Sequence, residues 1–234
     1  MVPVYERALI VGGGPGLSAS LAQLLAREGL RVGIAARDVA KLEPLARETG
    51  AALHPCDAAD PQSVESLFAA MTGALGGAPD VVVYNASARL RGPVTELDPR
   101  AVADALAVTA FGGFLVAQAA ARRMLPARHG AILFTGASAS VKGFAGSSPF
   151  AMGKFALRGL AESLARELQP QGIHVAHAII DGAIRNPARG GEPVEAPDSH
   201  LDPEAIAGAY LALLRQDRSA WSSEIALRPW TERF

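Results

Sequence analysis

The stretch Arg7-Ala8-Leu9-Ile10-Val11-Gly12-Gly13-Gly14-Pro15-Gly16-Leu17-Ser18 decides the fold. Its apolar run, Ala8 to Val11, is short and branched, the pattern of a buried strand. Beyond the glycines, Leu17, Leu21, Leu24 and Leu25 recur at helical spacing, and Gly29 marks the helix end. Strand, glycine turn and helix start follow in the order a dinucleotide site requires. Gly12 lets the chain turn sharply, and Gly14 and Gly16 keep the surface free of side chains. The helix beginning at Leu17 then offers its N–H groups to a pyrophosphate. A glycine-rich turn alone can be only a tight connection; its place between a strand and an amphipathic helix carries the reading.

Outward from this turn, strand and helix patterns alternate. Strands are expected at Arg31–Ala36, Ala51–Cys56, Val81–Val83, Ala131–Thr135, Ile173–Ile180 and Glu224–Leu227. Helices are expected over Val39–Glu48, from Asp60-Pro61 to Leu75, over Pro99–Ala127, over Pro149–Glu167, and from Asp202-Pro203 to Arg215. Such alternation predicts an α/β fold, a doubly wound parallel sheet with helices on both faces, and residues 1–234 forming a single domain. Between Asp181 and Asp202 the composition turns to Gly, Pro and charge, a loop expected to face a substrate.

The 234 residues carry a net charge of −1, so composition offers no electrostatic case for nucleic acid or an anionic membrane. A signal-peptide pattern and an uninterrupted membrane-spanning apolar run are both missing from the sequence as read. The one cysteine, Cys56, cannot form an internal disulfide. A cytoplasmic location, with no membrane partner, is the expectation. His174 and His177 stand at odd spacing in a strand, on opposite faces, which argues against a metal pair; His54 reads as structural, and nothing in the sequence aims His200.

With these motifs placed, the chain resembles the short-chain dehydrogenase/reductase family over nearly its whole length. The family's T-G-x-x-x-G-x-G reads here Val11-Gly12-Gly13-Gly14-Pro15-Gly16-Leu17-Ser18, with Val11 for the threonine and Ser18 for the last glycine. Its N-A-G appears as Asn85-Ala86-Ser87. Asp57 fits the acid that meets the adenine amine, Asp181-Gly182 the P-G after the sixth strand, and Ile184 the backbone contact to a nicotinamide amide. The resemblance implies a Rossmann fold, NAD(P)-dependent hydride transfer on a small-molecule substrate, and a homodimer or homotetramer. Phe111–Ala121 and Trp221–Phe234 are the surfaces compatible with assembly; a buried core face is the alternative for both.

The cofactor is expected to be NADP(H) rather than NAD(H). A carboxylate at the end of the second strand would repel a 2′-phosphate, whereas this chain has Ala36-Arg37. The competing reading is a solvated arginine paired with Asp38 or Glu43.

The resemblance fails at the chemistry. The family's tyrosine falls on Phe150, its serine on Ala137 with Ser138 beside it, and its asparagine on Thr109; only the lysine, Lys154, is kept. Lys154 would hold ribose hydroxyls and could serve as an acid through water, or could be a partly exposed helix lysine. Phe150 reads equally as a substrate-facing group or a core aromatic. Two functions stay open: an oxidoreductase with a non-standard proton donor, and a catalytically degenerate dinucleotide- or partner-binding protein.

Overall fold

The computed structural model describes residues 2–186 and 191–232. Among them, β1 (Arg7–Val11), β2 (Arg31–Ala36), β3 (Ala52–Pro55), β4 (Val81–Tyr84), β5 (Gly130–Thr135), β6 (Ile173–Ile180) and β9 (Glu224–Leu227) form one parallel sheet. Its order is β3-β2-β1-β4-β5-β6-β9, so strand order reverses between β1 and β4. In doubly wound sheets the ligand crevice lies at that reversal, beyond the carboxyl ends of the strands.

Strand alternation divides the apolar residues between two cores. Leu9, Val11, Val82, Tyr84, Ile132 and Phe134 face one side, under α3 (Pro61–Ala74), α5 (Gly112–Met124) and α6 (Ser148–Leu168). Ala8, Ile10, Val81, Val83, Ala131 and Leu133 face the other, under α1 (Leu17–Arg27) and α7 (Pro203–Leu214). A sheet covered on both faces buries its inner strands throughout, and all eight residues of β6 are buried, its two histidines with polar partners. Asp60, Asp98 and Asp202 cap α3, α4 (Pro99–Leu106) and α7, each accepting from backbone N–H groups ahead of a proline in the first turn.

Three elements differ from the sequence expectation. The segment over Val39–Glu48 starts as a 3₁₀ turn at Ala40–Leu42 before α2 (Glu43–Thr49). The helix expected over Pro99–Ala127 is interrupted by a π-turn at Ala107–Phe111, because Tyr84 donates its hydroxyl to the Val108 carbonyl and Thr109 Oγ1 accepts from the Ala88 N–H at 3.0 Å. Pro99–Ala127 is also long and apolar enough to cross a membrane by length and composition. Here Val116, Ala117, Ala120 and Met124 lie within a core. Third, the segment Asp181–Asp202 is braced by a short parallel pair, β7 (Ala183–Ile184) with β8 (His200–Leu201); residues 187–190, within that expected loop, lie outside the described residues.

The glycine turn is set by close approach. Gly12 has φ +98°, and a Cβ on it would lie 2.3 Å from the Ala86 backbone nitrogen. Gly14 needs neither room nor special backbone, since no atom lies within 4 Å of its would-be Cβ. Gly12→Ala is therefore expected to destabilise by more than the about 1–3 kcal/mol of a strained backbone alone. Gly14→Ala should stay within about 0.5 kcal/mol of the parent. Urea unfolding of the two variants checks the contrast.

Candidate active site

A cleft of about 950 Å³ opens at the carboxyl ends of the central strands. One end is the glycine turn, contributing Pro15, Gly16 and Leu17; the other holds Ala137, Ser138, Phe150 and Lys154. The turn is pinned to the neighbouring strand, because Gly12 and Gly13 both donate to the Ala35 carbonyl, at 2.9 and 2.8 Å. Gly16, at φ +94°, precedes α1 without any side-chain cap, and the space where its Cβ would sit is open. Uncapped N–H groups at an open helix start fit an anionic diphosphate.

Ser18, standing where the resembled family has its last glycine, joins this turn to the next strand. Its hydroxyl donates to the Gly12 carbonyl at 2.9 Å and accepts from Asn85 Nδ2 at 2.6 Å. Asn85 also donates its backbone N–H to the Val11 carbonyl and lines the cleft. Ala86 stands against Gly12. Gly182 and Ile184 line the cleft from the segment after β6.

Arg37 and Asp57 are exposed at the ends of β2 and β3, outside the cleft lining. The acids weighed as partners for Arg37 pair elsewhere, Asp38 with Lys41 at 3.1 Å and Glu43 with Arg47 at 3.6 Å. Asp57 accepts from the Ala59 N–H through Oδ1.

At the other end, Phe150 is half-buried on the first turn of α6 and lines the cleft, so it is not an enclosed core aromatic. Two cations lie over its ring: the Arg89 guanidinium at 4.9 Å and the Lys154 ammonium at 5.9 Å from the centroid. Lys154 is 3% exposed and donates to the Thr135 carbonyl at 2.7 Å. Burial, with the Arg89 charge adding to it, pulls its pKa down to about 7. Ala137 and Ser138 both line the cleft. Thr109 does not; it is buried, its hydroxyl engaged by Ala88 and its side chain packed against Gly153, where a Cβ would come within 2.9 Å.

Several groups at the site were not anticipated. Arg89 and Arg91 follow Asn85-Ala86-Ser87 and line the cleft, from a loop with no periodicity from which to read such directions; His200, which the sequence left unaimed, lines it too from β8. Beneath the Ala137 turn runs a chain of polar contacts, buried at Ser140 and His177 and partly exposed at Glu224 and Arg158. Ala137 N–H donates to Ser140 Oγ at 3.1 Å, and Ser140 stands 3.3 Å from His177 Nε2. His177 Nδ1 meets Glu224 at 3.1 Å, and Glu224 takes a two-pronged contact from Arg158 at 2.7 and 2.9 Å. An ionised Glu224 accepts only, so Nδ1 carries the proton and Nε2 receives the Ser140 hydroxyl. Burial keeps the His177 pKa below its ordinary value, and the ring neutral. Burial works to raise the Glu224 carboxyl, but Arg158 and His177 hold it low. His174 bonds the Ser222 carbonyl and stacks on Trp221, apart from His177, and no metal-binding group of His, Cys, Asp or Glu occurs among the described residues.

Residues 6–190 match the profile of the family described as short chain dehydrogenase. The chain is 32% identical over 180 residues to short chain aldehyde dehydrogenase 1 of Euphorbia lathyris, covering 72% of this chain and 60% of that protein. To (+)-borneol dehydrogenase 1 of Salvia officinalis it is 34% identical over 173 residues, covering 71% and 65%. The alignments thus span less than two thirds of those two relatives. A short-chain dehydrogenase structure from Rhodopseudomonas palustris is 33% identical, with a TM-score of 0.82 over 97% of this chain and 100% of that one. A metagenomic short-chain oxidoreductase in complex with NADP is 26% identical, with a TM-score of 0.82 over 96% and 97%. Sequence profile, end-to-end structural likeness and the glycine cleft agree: the chain belongs to the short chain dehydrogenase family.

Proposed function

We propose that the chain is an NAD(P)(H)-dependent oxidoreductase of the short-chain type, using NADP(H) in preference to NAD(H) on a small organic substrate. The carrying observation is the continuity of one cleft from the uncapped start of α1 to Lys154. Gly12, Gly14, Gly16 and Leu17 would hold the pyrophosphate, and Arg37 the 2′-phosphate. Asp57 would take the adenine amine, Asn85 and Ala86 would form the groove floor, and Gly182 and Ile184 would meet the nicotinamide amide. A bound nicotinamide dinucleotide supplies or accepts hydride. The metagenomic relative seen with NADP lends the cofactor class further support.

The proton is the chain's own problem. Phe150 has no hydroxyl, Ala137 has none, and Thr109 is buried away from the cleft lining. Losing a general acid typically costs about 10²–10⁴-fold in rate. Lys154 Nζ, buried beside the cleft with a pKa near 7, holds a proton that it can release at neutral pH, directly or through water. A substrate that needs little acid help, an activated double bond or a quinone-like acceptor, suits such a donor. Phe111 and Phe114, exposed and stacked with centroids 6.3 Å apart, support self-association as a homodimer or homotetramer. Trp221–Phe234 is the second candidate surface; its residues 233 and 234 lie outside the described residues. Residues 1–234 are read as one domain, in the cytoplasm. The competing reading, a dinucleotide binder without turnover, draws on the same missing hydroxyls.

Fluorescence titration with NADPH and NADH is the deciding experiment. NADPH is expected to bind more tightly than NADH, and Arg37→Ala to weaken NADPH by roughly tenfold or more, the value of a charge-assisted contact. Binding of NADH alone would remove the 2′-phosphate assignment, and binding of neither would remove the oxidoreductase. Tight NADPH binding with no oxidation by any of a panel of ketones, quinones and enones would favour the binder.

Lys154 gives a second test. Its folded pKa lies below its ordinary 10.5, so between about pH 7 and that value the unfolded chain binds a proton the folded one lacks. Stability should rise with pH across this window, and Lys154→Met should flatten the rise in urea unfolding. Turnover in the reducing direction should instead fall as pH climbs through about 7 and be lost in Lys154→Met.

Phe150→Tyr combined with Ala137→Ser should gain ketone reduction, read as NADPH consumed with a simple ketone. A folded, cofactor-binding double variant that stays inert would undo the alignment of these positions.

A further inference from the structure

Behind the cleft wall, Arg158, Glu224, His177 and Ser140 touch in series, from α6 and β9 through β6 to the 3₁₀ turn Ser138–Ser140. The near end of this relay is the Ala137 amide, which donates to Ser140 Oγ at 3.1 Å. A hydroxyl, an imidazole and a carboxylate in series have the order of a nucleophilic triad. Ser140 and His177 are both 0% exposed, however, and the hydroxyl oxygen already serves the Ala137 N–H. No substrate reaches that oxygen, so the relay acts on the backbone and not on a reacting atom.

Its direction is set from the carboxylate inward. Glu224 keeps the ring proton on Nδ1, which leaves His177 Nε2 to accept the Ser140 proton across 3.3 Å. With that proton turned away, Ser140 Oγ presents a lone pair to the Ala137 amide. The ring also lies directly against the wall: a Cβ on Gly136 would stand 2.3 Å from Nε2 and 2.9 Å from Ser140 Oγ. Thr135, Gly136, Ala137 and Ser138 are consecutive, and all line the cleft. Helix α6 grips this stretch twice. Lys154 donates straight to the Thr135 carbonyl at 2.7 Å, and Arg158, one turn further on, reaches Ala137 through Glu224, His177 and Ser140. Together the two grips fix the spacing between the Lys154 ammonium and the wall.

We propose that His177 is a positioning residue for turnover: acting through Ser140, it holds the Ala137 wall in register with Lys154, so that a substrate lying against the wall is aligned with its proton donor. Turnover here rests on the oxidoreductase reading, whereas the hold on the wall rests on the relay alone. A displacement of about 1 Å at such a wall is enough to cost roughly a hundredfold in rate.

The test compares the wild type with three variants. His177→Phe keeps a ring against Gly136 but no nitrogen, and Ser140→Ala cuts the relay one step nearer the cleft. His177→Gln restores it, because its amide offers Glu224 a donor and Ser140 an acceptor. Steady-state NADPH oxidation is measured with menadione and with cyclohexenone, and amide hydrogen exchange is followed by NMR. His177→Phe and Ser140→Ala should each lower kcat at least roughly tenfold, with acceptor KM and NADPH Kd within about threefold of the parent. The variant carrying both changes should be no slower than either alone, since both cut one relay. His177→Gln should recover most of the loss. Exchange at the Ala137 amide should quicken roughly tenfold or more in His177→Phe and Ser140→Ala. The Gly136 amide, bonded to the Ala178 carbonyl at 2.7 Å, should stay within about threefold.

The proposal is overturned if the loss in kcat is smaller, if it appears in KM or in NADPH binding instead, or if the two changes add. It is equally overturned if His177→Gln is as slow as His177→Phe, or if Ala137 exchange is unchanged. Should His177→Phe fail to fold, Ser140→Ala carries the kinetic and exchange measurements by itself. A wild type that binds no NADPH, or oxidises it with neither acceptor, counts against the oxidoreductase reading and not against the relay. Ala137 exchange in the cofactor-free protein then decides the hold on the wall.

Discussion

Gly12 and the backbone of Ala86 approach so closely that no side chain fits between them. That contact joins the end of β1 to the end of β4, the two strands between which the sheet order reverses. Ser18 reinforces it by bridging the Gly12 carbonyl and the Asn85 amide. A glycine at Ser18's position could not make either bond. The Ser18 hydroxyl thus ties turn, helix and neighbouring strand together. One wall of the cleft follows directly from this junction, with the start of α1 on one side and the segment that carries Ser87 on the other.

The opposite wall is built by a different kind of constraint. Ala137 presents only a methyl group to the cleft, yet its backbone is fixed by Ser140, His177, Glu224 and Arg158 in series. The chain of contacts runs from the cleft wall through β6 to β9 and back to α6. Each buried donor in it has an acceptor, which is the condition under which a polar network rigidifies a structure rather than weakening it. The wall at Ala137 is thus fixed through its backbone, without a side-chain hydroxyl at that position. Lys154 is likewise held by the Thr135 carbonyl at the end of β5, beside the Phe150 ring.

The inner strands were legible because their burial is two-sided: Arg31–Ala36 and Ile173–Ile180 appear with the bounds read from apolar runs. The edge strand Glu224–Leu227, only partly buried, keeps its expected bounds as well. The π-turn at Ala107–Phe111 was hidden, because its cause lies outside the helix, in the Tyr84 hydroxyl and the Ala88 N–H. The pairing of β7 with β8 was hidden for a similar reason: two-residue strands leave no alternation to read. Of the site, Gly12, Gly16, Asn85, Phe150 and Lys154 were readable because their motifs sit at element junctions. Arg89 and Arg91 reach the cleft from an irregular segment and His200 from a two-residue strand, and Ser140, His177 and Glu224 meet only after three separate elements pack.

Phe150 links these observations. In the family pattern a phenol at this point both donates a proton and fills the space beside the lysine. Here the hydroxyl is gone but the ring remains, with Arg89 on it. A guanidinium stays charged at any working pH, so it can stabilise negative charge but is a poor proton source. Arg89 and Lys154 share that ring, and the arrangement has an electrostatic consequence: burial first, and the fixed charge of Arg89 beside it, weaken the hold of Lys154 on its proton.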